Sequence, residues 1–235
     1  MDETTKKAII DEMNSIIRER QSTIGRNYLR VRDCYRKEYG LPELDPLRYE
    51  ITLCLTFGLY QAAITLTNHL LESLLKYALI YHHALQKQQE QQRIEGHAVE
   101  ALIEWLSEGK SLYADKNLDH TINRACTLGL ITKEQKNKLH NIRQTFRNAY
   151  GHADKGKTFG EAAIPAEAVR FTGDQAVRDG KREVPLADLL IFQGVFQAIY
   201  AEKDAVPYYL FIDNLARQII AKLFPYENQN ENERT

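Results

Sequence analysis

The sequence predicts an all-α fold: a bundle of helices preceded by extra N-terminal helices and interrupted by a small β-hairpin near 165–185. Three observations carry that expectation. Apolar residues recur at three-to-four spacing in segment after segment, the period of a helix buried along one side. Gly and Pro gather in two stretches between those segments, where they punctuate rather than interrupt. One stretch alone, 154–185, loses the helical period and alternates instead.

The elements follow in chain order. Over 3–36, Ile9, Ile10, Met13, Ile16 and Ile17 stand at helical spacing among many charges, which predicts one amphipathic helix or two. "YGLPELDPL" (39–47) holds a glycine and two prolines and is a connection. From Tyr49 to about Gln92 the signal is strongest. Leu53, Phe57, Tyr60, Ile64, Leu71, Leu74 and Ala78 form a stripe, and Leu55, Leu66, Leu70, Leu75 and Leu79 widen it, so this helix belongs at the centre of the bundle. Residues 97–114 give another helix around Trp105, and 118–131 a shorter one closed by Gly129. Thr132 and Gln135 make a capping-box pair that opens a helix running through "KEQKNKLHNIRQTFRNAY".

Residues 154–185 then carry four glycines, two prolines and an Asp179-Gly180 turn signal, with Val169 and Phe171 alternating with polar residues; a long loop with a hairpin is expected. Helical periodicity resumes over 186–200 and again over 208–224, and the polar tail 225–235 reads as disordered. The domain reading is therefore N-terminal amphipathic helices over 1–38 and a helical domain over 49–224. Its core is 49–155, its loop and hairpin 156–185, and its closing helices 186–224.

Composition bounds the function. In 235 residues, 43% are hydrophobic and 27% charged, ordinary for a soluble globular chain. No apolar run is long enough to span a membrane, and the acidic start "MDETTKKAII" lacks a signal core. Cys34, Cys54 and Cys126 are odd in number and far apart, which argues for free thiols in a reducing, cytoplasmic setting. Net charge is −1, yet between Ile131 and Thr158 seven Lys and Arg side chains face two carboxylates, a local charge of +5. Such a patch attracts phosphate that the total charge conceals. The plain alternative is a solvated helix face.

Common chemistries find no support. Neither GxGxxG nor GxxxxGK[ST] occurs, so nucleotide cradles of those kinds are not indicated. His82 and His83 are adjacent, so on a helix they diverge by about 100° and chelate one ion poorly. No Cys-x-x-Cys is present, and the carboxylates show no paired signature. Neither a metal nor a cofactor is expected.

What remains is "FRNAYGHAD", Phe146 to Asp154. With 16 arginines and 7 histidines, an Arg-x4-His pair arises by chance roughly 0.5 times, so that spacing alone carries nothing. An Asn directly after the Arg lowers the expectation to roughly 0.02. A helix cap is the ordinary reading: Arg and His suit a helix C-terminus, and Gly151 suits the residue past it. Local physics leaves both readings open.

"RNAYGH" resembles the Arg-polar-x3–5-His motif of the HEPN superfamily, helical domains of prokaryotic defence and toxin proteins. "GLYQAAITLTNHLLESLLKYAL" (58–79) is similar to that family's early core helix, and "LGLITKEQKNKLHNIRQTFRNAYGH" (128–152) to its glycine turn and motif helix. The resemblance covers 49–155. It implies a HEPN-like bundle and a metal-independent endoribonuclease. In that chemistry a ribose 2′-OH attacks the adjacent phosphate, leaving a cyclic phosphate and a 5′-OH.

The residue types suit that reaction. His152 would exchange protons, Arg147 would stabilise negative charge on phosphate, and Asn148 would orient either. Asn148 and His152 share a helix face, whereas Arg147 lies about 140° from His152, so either Gly151 distorts the turn or the site gathers groups from elsewhere. Pairing of two motifs in one cleft is the family's arrangement, which implies a homodimer.

Arg143, Lys136 and His140 extend a stripe along the helix. With Lys155 they are candidates for an RNA backbone track, the alternative being a solvated stripe. Glu72 is a candidate partner for Arg147. In relatives paired with nucleotidyltransferase antitoxins a Tyr stands two positions after the His; here that position is Asp154, which argues against that regulation and could tune His152. RNA is the expected partner, with an antitoxin or regulatory protein beside it and no membrane. Two other readings stay open: a non-catalytic HEPN module that binds RNA or protein, and an unrelated helical protein whose motif is a cap.

Overall fold

The computed structural model describes residues 1–90, 98–143, 163–172, 175–185 and 190–225. Six helices come first: α1 (Glu3–Arg36), α2 (Asp45–Thr56), α3 (Tyr60–Glu90), α4 (Ala98–Tyr113), α5 (Leu118–Thr127) and α6 (Lys133–Ile142). Strands β1 (Ala163–Thr172) and β2 (Gln175–Pro185) follow, then α7 (Leu190–Leu223). The all-α expectation holds, with the hairpin as its single β feature among the described residues. None of their helices is long and apolar enough to cross a membrane.

Helix α3 is the axis of the bundle, as its broad apolar surface predicts. Ile64, Leu70, Leu71, Leu74, Leu75 and Leu79 are all buried, and they spread around the helix because α2, α4, α5 and α7 pack on different sides of it. Val31 and Cys34 at the end of α1 belong to the same buried cluster as Ile122, Leu139, Tyr209 and Ile219. The last turns of α1 are thus part of the core. Cys34, Cys54 and Cys126 are free thiols.

Three element boundaries differ from the expectation. The single helix expected from Tyr49 to Gln92 is two, broken at Gly58. There Gly58 N–H reaches Leu55 O at 3.1 Å and Leu59 N–H reaches Cys54 O at 2.7 Å, the paired bonds of a Schellman end. Gly58 takes φ +73, which a side chain would resist. The apolar spacing runs straight across the break, so periodicity alone conceals it. The same motif closes α5, with Gly129 at φ +72 as expected.

The second difference is α7, one helix of 34 residues where two were expected, with Pro207 inside it. A proline there costs about 3 kcal/mol. Ala205, Val206, Tyr208 and Tyr209 are buried on either side of it, and Pro207 itself faces outward, so packing outweighs the lost bond.

The third is the hairpin turn. Strands pair antiparallel from Ala163↔Pro185 to Thr172↔Gln175, so Asp179-Gly180 lies within the paired stretch and not at its end. The register slips between Glu167↔Lys181 and Val169↔Arg178, which sets Asp179 and Gly180 opposite one residue, a bulge. Gly180 uses its φ of +87 there. The Asp-Gly signal correctly marks a positive-φ position, but the chain spends it on a bulge.

Candidate functional site

The motif residues Arg147, Asn148, His152 and Asp154, with Lys155, lie outside the described residues. The helix that leads to them is described up to Arg143. Thr132 Oγ1 accepts from Gln135 N–H at 3.1 Å while Gln135 Oε1 accepts from Thr132 N–H at 2.8 Å, so the expected capping box is complete. Gln135 also donates to Gln218 Oε1 at 2.7 Å, and Lys222 Nζ donates to the Gly129 and Leu130 carbonyls at 2.9 and 3.0 Å. α7 therefore clamps the start of α6 by polar bonds.

Further along, α6 buries Leu139 and Ile142 and uses its two flanks differently. On one, the Lys138 ammonium sits 3.9 Å from the centre of the Phe211 ring of α7. On the other, Arg143 Nη2 lies 3.1 Å and His140 Nδ1 3.5 Å from Asp119 Oδ1 of α5. Of the stripe expected from the sequence, Arg143 and His140 converge on one carboxylate, and Lys136, half-buried, stands one turn earlier. Arg143 Nε is buried without a hydrogen-bond partner among the described residues, so the contact to Asp119 is what fixes its guanidinium. Asp119 was not a candidate from sequence. It approaches α6 only through tertiary packing of α5, and no local spacing marks that.

The contacts from Gln135–Gln218 to Lys138–Phe211 show α6 descending along α7 toward its earlier turns. There Tyr208 donates to Asn68 Oδ1 of α3 at 2.8 Å, and Asn68 Nδ2 is buried with no partner. Glu72, half-buried, follows Asn68 by one turn of α3. Burial first, then the Glu72 charge, raises the Tyr208 hydroxyl above its usual range. Sequence reasoning found Glu72 but neither Asn68 nor Tyr208. Both read as ordinary members of an apolar helix, and only their mutual approach makes them a polar cluster.

Among the described residues no three His, Cys, Asp or Glu side chains gather as a metal-binding group. A groove of about 670 Å³ runs between the end of α3 and the end of α7, lined by His82, Gln86, Gln89, Leu128, Lys222 and Phe224. It lies beside the start of α6, away from the Asn68–Tyr208 pair. No family model, curated protein or solved structure matches the chain.

Proposed function

We propose that the chain is a metal-independent endoribonuclease of the HEPN type, acting in the cytoplasm in prokaryotic defence or as a toxin. The observation that carries the reading is the Arg147-Asn148-x3-His152 motif in the sequence that follows α6. That helix is capped and clamped at its start, and its basic flank is fixed by Asp119. The helix that clamps it, α7, also carries Tyr208, which donates to Asn68 of α3, one turn before Glu72.

In this reading a ribose 2′-OH gives up its proton as its oxygen attacks the adjacent phosphorus. The bond to the 5′-oxygen breaks, and that oxygen takes a proton. His152 handles these protons, as an imidazole suits near neutral pH. Arg147 stabilises the charge on the non-bridging oxygens, and Asn148 orients the histidine or the phosphate. Arg143, His140, Lys136 and Lys155 steer the RNA backbone, and Glu72 holds Arg147. Two protomers bring their motifs to one cleft, and an antitoxin or regulatory protein restrains the pair.

A second reading, a non-catalytic HEPN module that binds RNA or protein, is favoured by one observation. Asp119 already engages Arg143 and His140 and spends part of their charge. One experiment separates the two. Single-stranded RNA is incubated in excess EDTA with wild type, His152→Ala and Arg147→Ala. Catalysis requires wild-type cleavage to cyclic-phosphate ends, lost in both variants with fold and RNA binding retained. Binding without cleavage by wild type across several salts and RNAs selects the module.

A further inference from the structure

The N-terminal half of α1 is a helix that none of the described residues covers. Every residue from 1 to 22 is exposed, and the buried residues of α1 begin at Asn27. Arg20 donates to the Phe57 carbonyl at 3.0 Å, where the helix reaches the body. Residues 3–19 thus project about 25 Å. Along them runs a stripe of large apolar side chains: Ile9 (42% exposed), Ile10 (57%), Met13 (56%), Ile16 (50%) and Ile17 (46%). Such a stripe offers roughly 400 Å² of apolar surface, the scale at which an exposed patch marks an interaction site.

The stripe has a symmetry that suits a second copy of itself. Relative to Met13 its members stand at −4, −3, 0, +3 and +4. At about 100° per residue, positions +k and −k lie at mirrored angles about the Met13 direction. Two copies related by a twofold axis at Met13 and running antiparallel therefore meet in complementary layers: Ile9 beside Ile17 of the partner subunit, Ile10 beside Ile16, and Met13 against Met13. A self-complementary patch is what an isologous twofold contact requires.

Charge points the same way. Residues 2–12 carry four carboxylates against Lys6 and Lys7, a net −2, whereas 14–24 carry Arg18 and Arg20 against Glu19, a net +1. Antiparallel pairing lays the acidic half over the basic half; parallel pairing lays each on itself. An anionic membrane is a poor alternative occupant, because 2–19 holds five carboxylates against three cations where a membrane-surface helix carries a basic polar face.

From these observations we infer that the projecting half of α1 is a homodimerisation arm that pairs antiparallel with a second copy of itself about Met13. Counting the stems of flanking long side chains, the contact buries about 1,000 Å² in total, the lower edge of specific interfaces, so the dimer is concentration-dependent. The inference does not rest on the ribonuclease reading.

Cysteine cross-linking of the full chain tests it, with wild type as the control for the three native thiols. Met13→Cys sits on the axis and should oxidise to a covalent dimer well above the control. Ile9→Cys alone should not, since its two copies lie about 12 Å apart along the helices. An equal mixture of Ile9→Cys and Ile17→Cys should link. Self-linking of Ile9→Cys as efficient as that of Met13→Cys, or none by Met13→Cys, overturns the inference. In sedimentation at tens of micromolar, Met13→Glu should lower the average mass below that of wild type with the helical circular dichroism retained, because Met13 packs against none of the described residues of its own body. A mass equal to wild type overturns it, as does Met13-dependent binding to anionic phospholipid vesicles without self-association. RNA cleavage by Met13→Glu reports on the motif separately, so failure of either proposal is distinguishable from failure of the other.

Discussion

Arg48 ties the end of α1 to the start of α2, and removing it should be among the costliest single changes in the body of the fold. Its side chain is 3% exposed. Nε donates to Asp45 Oδ1 at 3.0 Å, and Nη1 donates to the Cys34 carbonyl and, at 3.2 Å, to the Tyr35 carbonyl. Those are last-turn carbonyls of α1, so Arg48 caps that helix from another element. Asp45 in turn accepts from Tyr39 N–H at 2.8 Å and Leu41 N–H at 3.0 Å, which holds the connecting loop.

Arg48→Met keeps most of the volume but strands the mostly buried Asp45 carboxylate and two helix-end carbonyls. Breaking one side of a buried pair costs about 3–5 kcal/mol. In a chain of this size each kcal/mol moves the melting temperature by about 2–4 °C, so a fall of about 6–20 °C is expected. Urea unfolding followed by helical circular dichroism measures it, provided the slope is unchanged. Lys138→Ala is the contrast: it removes an exposed cation from the Phe211 face and should cost under about 1 kcal/mol. A loss below 1 kcal/mol for Arg48→Met would refute the reasoning, since it would mean that water or neighbours replace the guanidinium freely.

Other outcomes follow from single contacts. Gly109→Ala should destabilise although alanine is the better helix former. Its Cβ would stand 3.1 Å from the Ile80 carbonyl oxygen and 3.2 Å from Ile80 Cα, so helix backbone, not a flexible side-chain tip, would have to give way by a few tenths of an ångström. Gly25→Ala, with nothing within 4 Å, should instead stabilise by about 0.5–1 kcal/mol, and the two melts compared side by side check the pair. Tyr209→Phe should be neutral or mildly stabilising, because the buried hydroxyl has no partner to lose; a loss beyond about 1 kcal/mol in urea would contradict that.

His82 has its pKa lowered from 6.5, first by burial and then by Arg124 and His83. The unfolded chain therefore binds that proton more tightly, so the stability tied to His82 is full above pH 6.5 and is lost as pH falls below it. Melting temperatures from pH 7.5 to 5 should decline less steeply for His82→Gln than for wild type.

Local signals in this chain were legible where one stretch of residues supplies its own physics. Thr132 and Gln135 specify a capping box within a single turn, and the structure forms it. The broad stripe of Ile64 to Leu79 announces a central helix because no narrow groove could cover it. The break at Gly58 was not legible from periodicity. Apolar spacing continues across it, and periodicity averages over a turn that one positive φ can break. The two closing segments expected over 186–200 and 208–224 are one helix for a different reason, since the local cost of Pro207, a few kcal/mol, is small beside the burial on both sides of it.

By itself, then, the sequence determined that helices dominate, where α5 ends and α6 begins, which helix is central, and that an Arg-Asn-x3-His motif follows α6. Each is a property of neighbours within a turn or two, where chain connectivity fixes the geometry. Only the tertiary structure decided that Asp119 gathers Arg143 and His140, that Asn68 meets Tyr208, that Arg48 caps a helix it does not belong to, and that the Ile9–Ile17 stripe is left uncovered. Those facts join residues from separate elements. They are set by which buried surfaces fit together, and sequence spacing carries no measure of that fit.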